Sequence, residues 1–284
     1  MKVLLRPNLE RRNTLDVASD IAKRLILLGA EPMIDVETAC YINIDIDGCI
    51  YSGRARLLDE CDIIMPIGGD GTVLHNAQDA MRHNKPLLPV NAGRLGFLAQ
   101  FDASEMQSCL ERLLEGNYTV SGRMMLEAVF SGPEGEALFY GLNDVVLRRE
   151  ESRHILDINV MERDRMILHQ RSDGIIFATP TGSTAYSLSA GGPVVSPDMQ
   201  VILLTPICPH STFRCGMVLP PQGEYIVSEA SDFGGFSVTV DGRQVGSVSY
   251  GQEVTVRRSP QSIQFIELGV RDFYRSLNQK LMII

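Results

Sequence analysis

The stretch CDIIMPIGGDGTVLHNAQDAM, residues 61–81, decides the fold. Its apolar run at 62–67 has the length of a buried strand, and from 72 to 81 the apolar positions recur at helical spacing. Between them stand Gly68, Gly69, Asp70, Gly71 and Thr72. A strand that runs through a glycine turn straight into a helix is the opening half of a crossover unit, the connection that joins parallel strands. Glycines in such a turn let the backbone take positive φ and leave no Cβ between its amides and a ligand, so phosphate oxygens can approach closely. Asp70 is the anomaly. A carboxylate beside phosphates must act as a base, hold a metal ion, or accept a hydrogen bond from a hydroxyl.

Outward from this stretch the alternation continues. Residues 2–5, 33–36 and 87–91 read as strands, 13–28 as a helix closed by Gly29, and 103–114 as a helix before Gly116. The expectation is an α/β domain over 1–122 with a mostly parallel, Rossmann-like sheet. Beyond about residue 122 the period changes. Segments 126–130, 139–147, 154–161, 166–170, 174–178, 201–204, 236–240 and 253–256 are short, β-rich and separated by Gly, Pro, Ser or Asp. A predominantly β domain is expected over 123–265, with a helical turn at 184–189. Residues 266–284 form a tail, helical at 272–281, that packs back on the N-terminal domain.

The 284 residues suit two domains, and 44% hydrophobic against 21% charged residues is the balance of a globular protein with a full core. A net charge of −9 argues against a general binder of nucleic acid or anionic membrane. Cys40, Cys49, Cys61, Cys109, Cys208 and Cys215 show no CxxC pair and no metal-ligand spacing with histidine, so reduced, mostly buried thiols are expected. The N-terminus MKVLLRPNLERR has only Val3, Leu4 and Leu5 between charges, too few for a signal peptide, and no apolar run reaches membrane-helix length. These features point to the cytoplasm.

Two common nucleotide motifs are absent: there is no GxxxxGK[ST], and in the frame from Gly69 the third glycine of GxGxxG is replaced by Leu74. NAGRLGFLAQF, residues 91–101, sets Arg94 between Gly93 and Gly96 as a phosphate-neutralising candidate. LNDVVL places Asn143 and Asp144 in the middle of an apolar strand, where one of the two should face a buried or ligand-lined surface; a bulge or turn is the alternative. RSDGIIFATPTGSTAYSLSAGGP, residues 171–193, crowds hydroxyls and Tyr186 around Gly182, Gly191 and Gly192, a composition suited to bonding ribose and stacking a base. Other matches fail. A calcium-loop pattern from Asn43 has Arg54 where a bidentate Glu is required, and Asp232, Phe233 and Gly234 spell a kinase tripeptide without its companion motifs.

Taken together, GGDGT, NAGRLGFL, the Asn143–Asp144 pair, SDGIIFATPTGSTAYSLSAGGP and CPHS resemble the NAD kinase family over nearly the full length. GGDGT alone is shared with phosphofructokinases and diacylglycerol kinases; TPTGSTAYSLSAGGP is not. The resemblance implies an N-terminal α/β domain and a C-terminal all-β sandwich. It also implies a cytoplasmic homodimer or homotetramer that uses ATP and a divalent metal cation, such as Mg²⁺, to phosphorylate the adenosine-side 2′-hydroxyl of NAD. It assigns Asp70 as the catalytic aspartate, Gly71 to the backbone beside the dinucleotide, and His75 to a basic position near the diphosphate. Asn143 and Asp144 match a pair on the nicotinamide-side ribose and adenine region, Asp144 being shorter than the Glu of many relatives. His154, Arg171 and Asp173 fall on dinucleotide positions. Thr184, Ala185, Tyr186, Ser187, Leu188 and Ser189 match a nucleotide-binding turn shared with a neighbouring subunit. Asp241 and Gly242 match a further motif, in which Arg243 and Gln244 compete for the next position.

Two rivals predict other outcomes. A lipid or sugar kinase on the same GGDGT turn would form no NADP, and a dinucleotide-sensing module would consume no ATP.

Overall fold

The computed structural model describes residues 1–42, 45–93, 96–99, 101–132, 135–149, 155–231, 235–270 and 272–281. Arg94, His154, Asn43 and the 232–234 tripeptide lie outside them. The chain divides into two units, residues 1–122 with 263–284, and residues 123–262.

In the first unit the order is β1 (Lys2–Pro7), α1 (Arg12–Leu27), β2 (Glu31–Asp35), α2 (Val36–Ile42), β3 (Ile50–Ser52), α3 (Arg54–Glu60), β4 (Ile63–Gly68), α4 (Asp70–Arg82), β5 (Val90–Asn91), β6 (Phe101–Asp102) and α5 (Met106–Leu114). The sheet runs β3-β2-β1-β4-β5-β6, parallel at every pairing. Strands covered on both faces must be apolar throughout, and Val3, Leu4, Leu5, Ile64, Met65 and Ile67 are fully buried. Helix α1 buries Thr14, Ala18, Ile21, Ala22 and Leu25, one stripe at spacings of three and four. Strand order reverses between β1 and β4, and such a switch opens a crevice at the carboxyl ends of the strands, where ligands bind. Gly68 ends β4 at that crevice.

The second unit holds most of the remaining strands: β7 (Thr119–Gly132), β8 (Gly135–Gly141), β9 (Asp144–Arg149), β10 (Leu156–Glu162), β11 (Arg165–Ser172), β12 (Gly174–Ala178), α6 (Tyr186–Ser189), β13 (Ile202–Ile207), β14 (Met217–Leu219), β15 (Glu224–Glu229), β16 (Gly235–Val240), β17 (Arg243–Ser249) and β18 (Glu253–Glu267). Two six-stranded sheets result, β11-β10-β15-β18-β7-β8 and β14-β13-β12-β9-β16-β17. Their registers are antiparallel. Alternate residues of both sheets, among them Leu126, Ile158 and Val160 from one and Leu147, Phe177 and Val238 from the other, make one buried cluster. That is the sandwich arrangement. The chain ends in α7 (Phe273–Leu281), part of the first unit.

Several expectations need correction. The 139–147 segment is not one strand but β8 and β9, broken at Leu142 and Asn143. The 87–91 segment keeps only Val90–Asn91 as a strand, because Pro89 removes a ladder donor; Leu87 instead bridges Ile64 and Phe265. Of the six free thiols, Cys40, Cys208 and Cys215 are exposed, so burial is not their common state. Among the described residues no helix is long and apolar enough to cross a membrane.

Candidate active site

Helix α4 begins at Asp70, two residues before the apolar spacing indicates, with Gly69 extended as its N-cap and the Gly69 carbonyl accepting the Thr72 amide at 2.9 Å. An acidic residue in the first turn is favoured by the positive end of the helix dipole. No side chain caps this terminus, and the first amides of a helix have no partner within it. The Asp70 side chain is oriented from outside the helix. Its Oδ2 accepts the Phe97 amide at 3.0 Å and its Oδ1 the Leu98 amide at 3.1 Å. Among the described residues each oxygen keeps a lone pair, and the side chain is 30% exposed. The ammonium of Lys280, on α7, lies 3.7 Å from Oδ2.

Positive φ, one of the two reasons expected for these glycines, is not realised. Gly68, Gly69 and Gly71 are not among the positive-φ residues, so conformation is not why they are glycine. At Gly68 the reason is space: a Cβ would stand 2.3 Å from Thr72 Oγ1. Among the described residues a Cβ at Gly69 or Gly71 would meet no atom within 4 Å beyond its chain neighbours and its own helix, so what they leave bare is backbone. His75 is exposed one turn beyond Gly71, on the same face of α4.

In the second unit Asn143 and Asp144 are shaped by one half-buried carboxylate. Val240 pairs with Arg243 across Asp241 and Gly242, which both have positive φ (48° and 78°), the geometry of a two-residue I′ hairpin. That turn directs the Asp241 side chain onto the break between β8 and β9. It accepts the amides of Leu142 at 2.8 Å, Asn143 at 2.7 Å and Asp144 at 3.1 Å. Burial, and then the charge of Asp241, push the Asp144 carboxyl up to about 7. Burial raises Asp241 as well, and the three amides work against that rise. Arg243 and Gln244 are both exposed at the start of β17.

The 179–193 segment folds onto the same break. Thr179 donates its hydroxyl to the Leu142 carbonyl at 2.6 Å, and a Cβ on Gly182 would lie 2.0 Å from the Asn143 oxygen. Not every hydroxyl is free for a ligand. Ser183 exchanges bonds with the main chain of Val195 at 3.1 Å, and Ser187, fully buried, bonds Thr205 at 2.8 Å. Tyr186 and Ser189 are exposed, while Thr184, Ala185 and Leu188 are half-buried. The structure thus gathers Asn143, Asp144 and the 181–189 turns. Arg171 and Asp173 belong elsewhere: Asp173 joins β11 to β12, pairs with Arg149 at 3.1 Å, and lies at the other end of β9, roughly 17 Å along at about 3.4 Å per residue.

Sequence reasoning missed Lys280, the amides of Phe97 and Leu98, and the role of Asp241 as a scaffold. Only the last carried a signal, an Asp-Gly pair between two β runs. Among the described residues no group of three His, Cys, Asp or Glu side chains is gathered as a metal-ligand set.

Comparison with known proteins bears on both units. Residues 46–118 match the ATP-NAD kinase N-terminal domain and 142–268 the ATP-NAD kinase C-terminal domain. An NAD kinase of Caldanaerobacter subterraneus subsp. tengcongensis is 34% identical over 281 residues, covering 99% of this chain and 98% of the relative. One from Heliobacterium modesticaldum is 39% identical over 237 residues, covering 82% and 83%. The crystal structure of yeast NADH kinase complexed with NADH superposes with a TM-score of 0.90 at 24% identity, over 99% of this chain and 87% of that one, a likeness of fold. With sequence similarity along nearly its whole length and both domain signatures in order, the chain belongs to the NAD kinase family.

Proposed function

We propose that this NAD kinase transfers the γ-phosphoryl group of ATP to the adenosine-side 2′-hydroxyl of NAD, and that Asp70 is the group that engages that hydroxyl. The supporting observation is the hold on its carboxylate: two main-chain amides at 3.0 and 3.1 Å fix its plane, yet each oxygen retains a lone pair. A group so oriented can accept the hydroxyl proton while the ribose oxygen bonds to phosphorus and the bond to the β-bridging oxygen breaks. Phosphoryl transfer needs mainly positioning and charge neutralisation, so one oriented carboxylate and a bare glycine turn suffice on the protein side. The open backbone at Gly69 and Gly71, beside uncapped helix amides, suits phosphate oxygens. His75 would stand beside the diphosphate.

A divalent cation is part of this reading. Mg²⁺ is usually held by one or two carboxylates together with substrate phosphates, and Asp70, partly exposed and with lone pairs to spare, fits that donor set. When bound, the ion would neutralise charge on the phosphates.

Asn143, Asp144 and the turn carrying Thr184, Ala185, Tyr186, Leu188 and Ser189 would contact the dinucleotide, with Ser187 limited to its main chain because its hydroxyl is bonded to Thr205. Arg171 and Asp173, at the far end of β9, would serve a nucleotide held by a second copy of the chain, in a cytoplasmic homodimer or homotetramer. The deciding experiment is NADP formation from NAD and Mg·ATP by purified wild type and Asp70→Asn. Loss of turnover with an unchanged melting profile supports the assignment. Near wild-type turnover in the variant removes it.

A further inference from the structure

The C-terminal helix is amphipathic in an unusual way. In FYRSLNQKL, residues 273–281, the positions 273, 276, 277 and 280 share one face, so the apolar stripe that begins with Phe273 ends in a lysine. Ser276 is the buried residue of α7, and the ring of Phe273 lies 6.5 Å from that of Phe97 at an interplanar angle of 40°. One turn past Leu277, the Lys280 ammonium stands 4.4 Å above the centre of the Phe97 ring. The same nitrogen is 3.7 Å from Asp70 Oδ2, the oxygen that accepts the Phe97 amide. Phe97 is therefore shared: its amide orients the carboxylate and its ring carries the cation that faces it.

A lysine in a last turn suits the helix dipole, but solvent would serve that purpose equally well. This one, although 36% exposed, lies across an aromatic face, which fixes a flexible four-carbon stem at a conformational cost that a purely solvated charge avoids. Among the described residues it is the side-chain cation paired with Asp70. A chain of net charge −9 must bring a carboxylate, a triphosphate and a dinucleotide diphosphate together, and like charges in a crevice repel strongly unless compensated.

Resting on the reading of Asp70 given above, we infer that Lys280 is a positioning residue for the reaction: α7 delivers its ammonium to Asp70 and holds the carboxylate in place as the anionic donor arrives. At 3.7 Å the ammonium is too far to occupy a carboxylate lone pair by a hydrogen bond, so the acceptor hydroxyl can still reach it.

The test is a double-mutant cycle on the full-length enzyme, read as NADP formation. Lys280→Met keeps an aliphatic stem over Phe97 and removes the charge; it should lower kcat about tenfold and change KM for NAD less than about twofold. Lys280→Arg should recover most of the loss. In an Asp70→Asn background, measured with enzyme in excess of NAD, adding Lys280→Met should cost nothing more. An equal loss in both backgrounds would mean that the lysine acts on the fold or the phosphates independently of Asp70, and the inference fails. Unchanged kcat in Lys280→Met, with Asp70→Asn impaired, overturns the inference and leaves the role of Asp70 standing. Full turnover in Asp70→Asn overturns both.

Discussion

Gly96 and Asp70 are packed so closely that no side chain fits between them: a Cβ on residue 96 would lie 2.1 Å from Oδ1 and 2.7 Å from the carboxylate carbon. The glycine leaves room for the carboxylate to lie against the loop and accept the 97–98 amides. Gly96→Ala must therefore push either the side chain or the loop away and lengthen both amide bonds. Turnover should fall on the order of 10- to 100-fold, the scale of losing oriented hydrogen bonds at a reacting centre, while the fold survives. Steady-state NADP formation beside a thermal melt checks this. Wild-type kcat in a folded variant would show that the Asp70 orientation does not matter.

Asp241 is the corresponding scaffold in the second unit, since its carboxylate satisfies three successive amides. Asparagine tolerates the positive φ at this position, so Asp241→Asn tests the acceptor rather than the backbone. Oδ1 can still take the amides of Asn143 and Asp144, but Leu142 would face an NH₂ group in place of Oδ2. A buried donor without an acceptor costs about 1–3 kcal/mol. Urea unfolding at pH 8 should show that loss with an unchanged m-value, and KM for NAD should rise because the Asn143–Asp144 turn loosens.

Asp144 makes stability depend on pH in a definite direction. Its folded-state value of about 7 lies above the ordinary 3.8, raised first by burial and then by Asp241. Between those values the native state holds a proton that the unfolded chain has released, so stability contributed by this group is full below about 4 and is lost as pH rises through 7. Asp144→Asn removes the penalty. The variant should match wild type near pH 4 and exceed it by on the order of 4 kcal/mol at pH 8. Denaturant midpoints over that range are the measurement, and an identical pH slope in both proteins would refute the argument.

The strand-turn-helix at 62–81 was legible because one period gives way to another across glycines, and the parallel sheet follows from it. The helices α2 and α3 were not. Helix α2 starts directly after a strand, with β-branched Val36 and Thr38 in its first turn, and its start is set by Asp35, which accepts the Thr38 amide at 2.9 Å and its hydroxyl at 2.8 Å. Strand β3 is three residues long and carries no period. At the site, Asp70, Asn143 and Asp144 could be picked out from residue type. Their partners could not, because Phe97 and Leu98 contribute only backbone and Lys280 lies 210 positions from Asp70 in the chain, a proximity that only the folded tertiary structure creates. The hydroxyl-rich segment has a composition suited to bonding ribose, yet Thr179, Ser183 and Ser187 spend their hydroxyls on the protein, since composition does not reveal direction.

Gly71 offers a test in which stability and activity should move in opposite directions. It occupies the first turn of α4 without positive φ, and among the described residues a Cβ there would touch no atom within 4 Å beyond its neighbours and its own helix. By helix propensity alone, Gly71→Ala should stabilise the fold by about 0.5–1 kcal/mol, since alanine loses less backbone freedom than glycine. If the bare backbone exists to admit a phosphate, the added methyl will occupy the space the nucleotide needs. KM for nucleotide should then rise by about tenfold or more, the effect of displacing a ligand from close main-chain contact. A variant that melts higher and binds worse would tie the glycine to the ligand and not to the fold. One that melts higher and keeps both kinetic constants would place the phosphates somewhere other than this turn.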